Sequence, residues 1–241
     1  MFGGGDDRDR NATDRDRGAS GDGDDYRRAR ERMVEGLADR DDFDEATLDA
    51  MRAVPRHEFV PPGRRDSAYA DRPLPIGNDQ TISAPHMVAA MVDMLDLDAG
   101  EAVLEIGTGC GYHAAVTAEV VGPEHVYSVE YHESLAREAR DRLDRLGYGG
   151  VSVRVGDGRR GWADHAPYDA AYLTAAPADF PPAVVEQVRP EGRLLAPLDA
   201  TGGPAAGQRL VFARRRADGS LDREPRGRVR FVPMQGDRAQ G

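Results

Sequence analysis

The chain reads as an α/β protein built on a doubly wound, mostly parallel sheet, with helical additions at its N-terminus and an antiparallel strand pair at its C-terminus. Three observations predict this. Short apolar runs recur beyond residue 100, at AVLEI (102–106), VYSVE (126–130), VSVRV (151–155), DAAYLT (169–174) and RLLAP (193–197). Segments with helical spacing separate them, as in residues 132–146, where Leu135, Ala139, Leu143 and Leu146 share one face, and alternation of this length builds parallel sheets. A glycine loop, Gly107-Thr108-Gly109-Cys110-Gly111, directly follows the first of these strands, the place where such folds hold a ligand.

Residues 1–25 are dominated by Asp, Arg and Gly and contain no Val, Ile or Leu. They hold too little apolar surface to offset the entropy of ordering and are expected to be a disordered arm. Residues 26–241 then form one domain, divided into a helical cap and connecting segment (26–98) and a ligand-binding core with the C-terminal strands (99–241). Two short helices follow Tyr26: one carries Met33, Val34 and Leu37, the other Leu48 and Met51, ending at Pro55. The proline-rich stretches 52–63 and 69–77 read as irregular. A third helix begins after Ser83, whose hydroxyl is placed to cap it; Pro85 suits its first turn, and Met87, Val88, Met91, Met94 and Leu95 form its apolar stripe. Two last strands, 208–215 and 227–234, lack a clear helix between them and are expected to pair antiparallel.

Composition excludes several classes. No apolar run reaches bilayer-spanning length, and MFGGGDDRDR lacks the apolar core of a signal peptide, so a soluble, cytoplasmic protein with no membrane partner is expected. Cys110 is the only cysteine, which rules out an internal disulfide and a multi-cysteine metal site, and no metal is expected. All 32 basic residues are arginine, and 43 acidic residues leave a net charge of -11, a field that repels nucleic acid. Such a surface fits a salt-rich cytoplasm, where a screening length of about 3 Å at roughly 1 M salt weakens self-repulsion. Codon bias in a GC-rich genome favours the same residues, and stability measured from low to high salt separates the two readings.

The glycines Gly107, Gly109 and Gly111 let the backbone turn sharply and approach a ligand closely. Their GxGxG spacing departs from the dinucleotide fingerprint, whose third glycine lies one position later. Glu130 ends the second core strand, where a carboxylate accepts the ribose hydroxyls of an adenosine; a solvated strand-end glutamate is the ordinary alternative. Glu105 is expected to face the cationic amino-acid end of the ligand, and Asp157, within Gly156-Asp157-Gly158-Arg159, the adenine amino group. Three acids at three strand ends suit a sulfonium and an ammonium better than a pyrophosphate. S-adenosylmethionine is the cofactor this chemistry points to.

From about Arg32 to Gln240 the chain resembles the protein-L-isoaspartate O-methyltransferase family, through MVEGL, AVPRHEFVP, YADRPLPIG, QTISAPHM, VLEIGTGCGY, VYSVE, GDGRRGW, YDAAYLTAAP, GRLLAP and FVPMQG. The resemblance implies a class I S-adenosylmethionine-dependent methyltransferase fold, with residues 26–98 on the substrate side. It implies methylation of the free carboxylate of L-isoaspartyl residues in damaged proteins; a monomer is expected, although the sequence does not fix the oligomeric state. It also implies that Ser83 lies in the active site, that Gln80, Thr81 and Ile82 line the cofactor and substrate pocket, and that Glu105, Gly107, Glu130, Asp157 and Gly158 face the cofactor. Gln240 would close over it. Family members often carry glycine where Asn78-Asp79 stand, which leaves substrate preference less determined than cofactor, and Cys110 replaces a frequent serine as a small packing residue. His86 reads as a buried, hydrogen-bonded histidine and not a proton carrier.

An isoaspartyl carboxylate is already an anion at neutral pH, its reference pKa being about 4, so methylation requires positioning and desolvation more than a base. Three rivals remain. A nucleic-acid amino methyltransferase would show an Asn/Asp-Pro-Pro-aromatic sequence where Leu173-Thr174-Ala175-Ala176-Pro177 stands. A nicotinamide-dependent oxidoreductase would carry the other glycine spacing. A non-catalytic module that keeps the fold and recognises damaged proteins differs only in lacking activity.

Overall fold

The computed structural model describes residues 13–199 and 207–236. Helix α1 spans Thr13–Ala38, so residues 13–25, expected in a disordered arm, are helical, while residues 1–12 lie outside the described residues. The charges explain part of this: Asp24–Arg27 at 3.1 Å and Asp25–Arg28 at 3.5 Å pair across one turn, each contributing a few tenths of a kcal/mol, about 0.2–0.5. From residue 23 on, the first buried side chains of the helix are Met33, Val34 and Leu37. Helix α2 (Glu45–Ala53) buries Leu48 and Met51 and ends before Pro55, as the spacing predicts.

The connecting segment is more ordered than its prolines suggest. Strands β1 (Leu74–Gly77) and β2 (Gln80–Ile82) form an antiparallel hairpin, in a region expected to be irregular. Asn78 and Asp79 form its turn with φ of 50° and 56°, the left-handed pair that a two-residue hairpin turn requires. Helix α3 (Pro85–Leu95) follows, with Ala84 at the cap position and no side-chain cap. The Ser83 hydroxyl therefore does not cap it, contrary to expectation. Pro85, with its fixed φ and no amide hydrogen, starts this helix without one.

The core sheet has seven strands: β3 (Val103–Ile106), β4 (Val126–Glu130), β5 (Ser152–Val155), β6 (Tyr168–Leu173), β7 (Val188–Asp199), β8 (Gln208–Arg215) and β9 (Leu221–Val229). Their order is β5-β4-β3-β6-β7-β8-β9. Pairings from β5 through β7 are parallel, and β7–β8 and β8–β9 are antiparallel. Helices α4 (Tyr112–Val121), α5 (Glu133–Arg145) and α6 (Pro182–Gln187) connect the strands. Alternate residues of β3 serve opposite layers: Val103 joins the cluster that includes α4, whereas Leu104 and Ile106 join the one that includes Val184 of α6. Helix α4 is buried on nearly all sides because α2 and α3 pack over it, and its Tyr112 hydroxyl reaches Met51 Sδ at 3.7 Å.

The final strand starts earlier than 227–234. A tight turn, closed by the Arg216 amide donating to the Ser220 carbonyl at 2.8 Å, sets Leu221 opposite Arg215. Pro225 is accommodated because β9 is a sheet edge and the register shifts beside it. The FVPM stretch is thereby released from the sheet. Pro233 instead bridges to Ala176 beyond the end of β6.

Candidate active site

The chain reverses its sheet order between β3 and β6, and the cleft at their carboxyl ends is where a ligand belongs in such a sheet. The loop after β3 makes that cleft. Gly107, Gly109 and Gly111 have φ of 101°, 54° and 88°. At Gly107 a Cβ would stand 2.3 Å from Thr174 Oγ1, and that hydroxyl donates to the Gly107 carbonyl at 2.6 Å. Only glycine lets β3 and β6 fix the loop this closely. The cleft is lined by the loop, by Gln80–Ser83, by the end of β4 and by residues 232–235.

Three expected acids take three different places. Glu130 lines the cleft and is 5% exposed. Its Oε2 accepts from the Gly109 amide at 2.8 Å and its Oε1 from the His132 amide at 2.9 Å. The carboxylate therefore ties the loop to β4, and its remaining lone pairs can accept ligand hydroxyls. Glu105 does not reach the cleft. Its side chain points beneath the loop, between Ser128 and Tyr172, its register partners on β4 and β6. The hydroxyls of both donate to it, that of Tyr172 at 3.0 Å. Complete burial pushes Glu105 up to about 7, against those two donors. Asp157 also turns away: it caps the Arg159 amide at 3.0 Å and pairs with that guanidinium at 3.8 Å, beneath Gly236, where a Cβ would stand 2.6 Å from Asp157 Oδ1. Its neighbour Gly158 does line the cleft, pressed so close to Ile106 that a Cβ would stand 2.3 Å from Ile106 Cγ2.

On the opposite wall stand Gln80, Thr81, Ile82 and Ser83, together as expected. What fixes them is Arg56, a fully buried guanidinium whose Nη2 donates to the Ser83 carbonyl and whose Nε donates to the Ala68 carbonyl, each at 2.7 Å. The guanidinium carbon lies 4.8 Å from the centre of the Tyr112 ring. His86 lies outside the cleft and is half-buried, not buried as expected, its Nε2 3.1 Å from Asp41 Oδ2. Gly111 is not on the cleft wall either; it starts α4, where a Cβ would meet Leu143 at 3.3 Å. Cys110 is buried, which raises its thiol pKa despite the adjacent helix N-terminus. Gln240 lies outside the described residues.

The sequence reading missed Thr174, Tyr131, His132, His113 and the 232–235 strap, which also line the cleft. Tyr131 and His132 could have been found as the residues following a strand-end acid. Nothing in the periodicity marks Thr174. Among the described residues no group of His, Cys, Asp and Glu is arranged to hold a metal ion, and no helix is long and apolar enough to cross a membrane.

This sheet order, a glycine cradle and an acid at the end of the adjacent strand define a class I methyltransferase architecture. The chain belongs to the protein-L-isoaspartate(D-aspartate) O-methyltransferase family, whose model matches residues 28–239. It is 48% identical over 214 residues to protein-L-isoaspartate O-methyltransferase 2 of Archaeoglobus fulgidus, covering 88% of this chain and 95% of that protein. The enzyme of that name from Methanothermobacter thermautotrophicus is 47% identical over 209 residues, covering 86% and 95%. A solved protein-L-isoaspartate O-methyltransferase superposes with a TM-score of 0.78 at 28% identity, covering 86% of this chain and 66% of that one. A Plasmodium falciparum structure solved with S-adenosyl-L-homocysteine shares the fold, with a TM-score of 0.73 at 20% identity over 86% of this chain and 99% of that one.

Proposed function

We propose that this protein transfers a methyl group from S-adenosylmethionine to the free carboxylate of L-isoaspartyl residues in damaged proteins or peptides. The observation that carries this reading is that the Gln80–Ser83 segment and the glycine loop with Glu130 line one cleft. The cradle fits the cofactor: a loop with no side chain in the way, a carboxylate for ribose hydroxyls, and neutral polar side chains on the wall beyond.

The bound cofactor supplies a methyl group on a positively charged sulfur. Glu130 would hold the ribose, and by accepting from the Gly109 amide it keeps the loop in its open-handed shape. Thr174 holds Gly107 from the other side. The Ser83 hydroxyl, not engaged in capping α3, donates a hydrogen bond to one oxygen of the acceptor carboxylate and leaves the other oriented for attack. Ile82 and Val88, both buried, keep water from that oxygen. No residue abstracts a proton, because the carboxylate is ionised at neutral pH. Holding it in line is worth up to about 7–11 kcal/mol in ideal intramolecular systems.

Transfer of labelled methyl to an isoaspartyl peptide, with the aspartyl isomer as control, tests the reading. Labelling of the first alone is expected. Binding of the cofactor without transfer to either would favour a non-catalytic recognition module. The net charge of -11 supports protein rather than nucleic-acid substrates, and a monomer acting in the cytoplasm completes the proposal.

A further inference from the structure

With Glu105 withdrawn beneath the loop, the amino-acid end of the cofactor has lost its expected partner, and the described cleft lining contains neither Arg nor Lys. Two histidines of that lining have buried ring nitrogens without a hydrogen-bond partner: His132, through Nε2, stands beside Glu130 at the end of β4, and His113 stands on the β6 side of the loop. His113, the second residue of α4, is 6% exposed and borders the cleft, but neither of its ring nitrogens has a hydrogen-bond partner. Its ring packs against Tyr172 of β6 with centroids 4.4 Å apart, and the Tyr172 hydroxyl is committed to Glu105 and Thr117. A buried polar group left unpaired costs about 1–3 kcal/mol. The fold carries that deficit at the edge of a ligand cleft.

We propose that His113 binds the amino-acid end of S-adenosylmethionine, donating a ring N–H to its carboxylate. This deepens the methyl-transfer reading and rests on it. The sheet order fixes the direction: Glu130 on β4 flanks one side of β3, and Tyr172 on β6 flanks the other. With its ribose at Glu130, the cofactor would extend its amino-acid end across the loop toward β6, where His113 packs against Tyr172. Depth separates this role from contact with the methyl acceptor, since a peptide enters past exposed Thr81 and half-buried Gln80, whereas the His113 ring is enclosed. Burial lowers the His113 pKa to about 3, so at neutral pH the ring offers a donor without a charge. An uncharged donor holds an anion without repelling the sulfonium that shares the cleft.

The test compares S-adenosyl-L-homocysteine with 5′-methylthioadenosine, which keeps the adenosine and the sulfur but lacks the amino-acid end, by calorimetric titration. His113→Phe should weaken S-adenosyl-L-homocysteine about ten-fold or more, the loss of one hydrogen bond to a charged group, and leave 5′-methylthioadenosine within about two-fold. His113→Asn, which keeps a donor, should recover much of the loss. Equal weakening of both ligands, or unchanged S-adenosyl-L-homocysteine affinity in a folded variant, would overturn the assignment. Wild-type protein that binds neither ligand would instead overturn the methyl-transfer reading beneath it.

Discussion

Glu130→Gln is the substitution whose consequences the structure specifies most fully. Both carboxylate oxygens are engaged, Oε2 by the Gly109 amide at 2.8 Å and Oε1 by the His132 amide at 2.9 Å. A glutamine has one acceptor oxygen and one NH₂, so either flip sets an N–H against a backbone N–H at a position only 5% exposed. The loop then loses one charge-assisted bond and strands one donor. Ribose hydroxyls that donated to a carboxylate meet a weaker, half-reversed partner. Hydrogen bonds to charged groups contribute about 1.5–3 kcal/mol each, so a loss of about 2–4 kcal/mol, roughly 30- to 1,000-fold in Kd, is expected for S-adenosyl-L-homocysteine. Calorimetric titration measures it, and turnover at saturating cofactor should fall far less than the affinity. A second comparison separates ribose contact from loop damage: wild-type protein should prefer adenosine to 2′,3′-dideoxyadenosine, and the variant should not. A folded Glu130→Gln protein with Kd within two-fold of wild type would refute the assignment.

Ser83→Ala should lower methylation of an isoaspartyl peptide about 10- to 100-fold, the loss of one hydrogen bond to a charged acceptor, with S-adenosyl-L-homocysteine affinity unchanged; an unaltered rate removes Ser83 from the chemistry. Burial pushes Glu105 up to about 7 in the folded chain from an ordinary 4.5, so between these pH values the unfolded chain ionises first and stability falls as pH rises, by on the order of 3 kcal/mol. Glu105→Gln should flatten the denaturation midpoint across that window, and parallel pH profiles for the two proteins would contradict the burial account. Asp79 sits at φ 56°, so Asp79→Gly should stabilise the hairpin by about 0.5–1 kcal/mol, seen as a Tm higher by a few degrees; an unchanged or lower Tm would count against strain at the turn.

The core strands were legible because each is a local apolar run whose neighbours are helices with their own spacing. VYSVE and QRLVFARR coincide residue for residue with β4 and β8. What escaped depends on partners distant in sequence. Glu105 reads as a loop acid, yet the pleat of β3 turns it toward Ser128 and Tyr172, residues 23 and 67 positions away. Asp157 reads as a strand-end acid, but its carboxylate caps the turn that follows it. Ser83 looks like a helix cap because serine is a favoured cap residue and an apolar stripe follows it, and only the fold shows that helix starting one residue later, at Pro85 with Ala84 at the cap position. The β1–β2 hairpin hid behind prolines, although Asn78-Asp79 is itself a turn signal. FVPM looks like strand because it is apolar; it is apolar because it closes over the cleft.

Charge gives the site its logic. Almost a third of the chain, 31%, is Asp, Glu or Arg, yet the described cleft lining carries one carboxylate, Glu130, and otherwise neutral donors such as Gln80, Thr81, Ser83, His113 and Thr174. Methyl transfer from a sulfonium to a carboxylate consumes one positive and one negative charge, so the charges fade on the way to the transition state. An arginine beside the acceptor would bind the ground-state carboxylate more strongly than the half-neutralised transition state, improving affinity at the expense of rate. Neutral hydrogen-bond donors orient the carboxylate with a smaller penalty of this kind, and apolar Ile82, Val88 and Met234 in the lining withhold water from charges that are largest in the ground state, which favours the less charged transition state. The buried Arg56 respects the same constraint. It fixes Ser83 through the backbone carbonyl and keeps its own positive charge behind the wall.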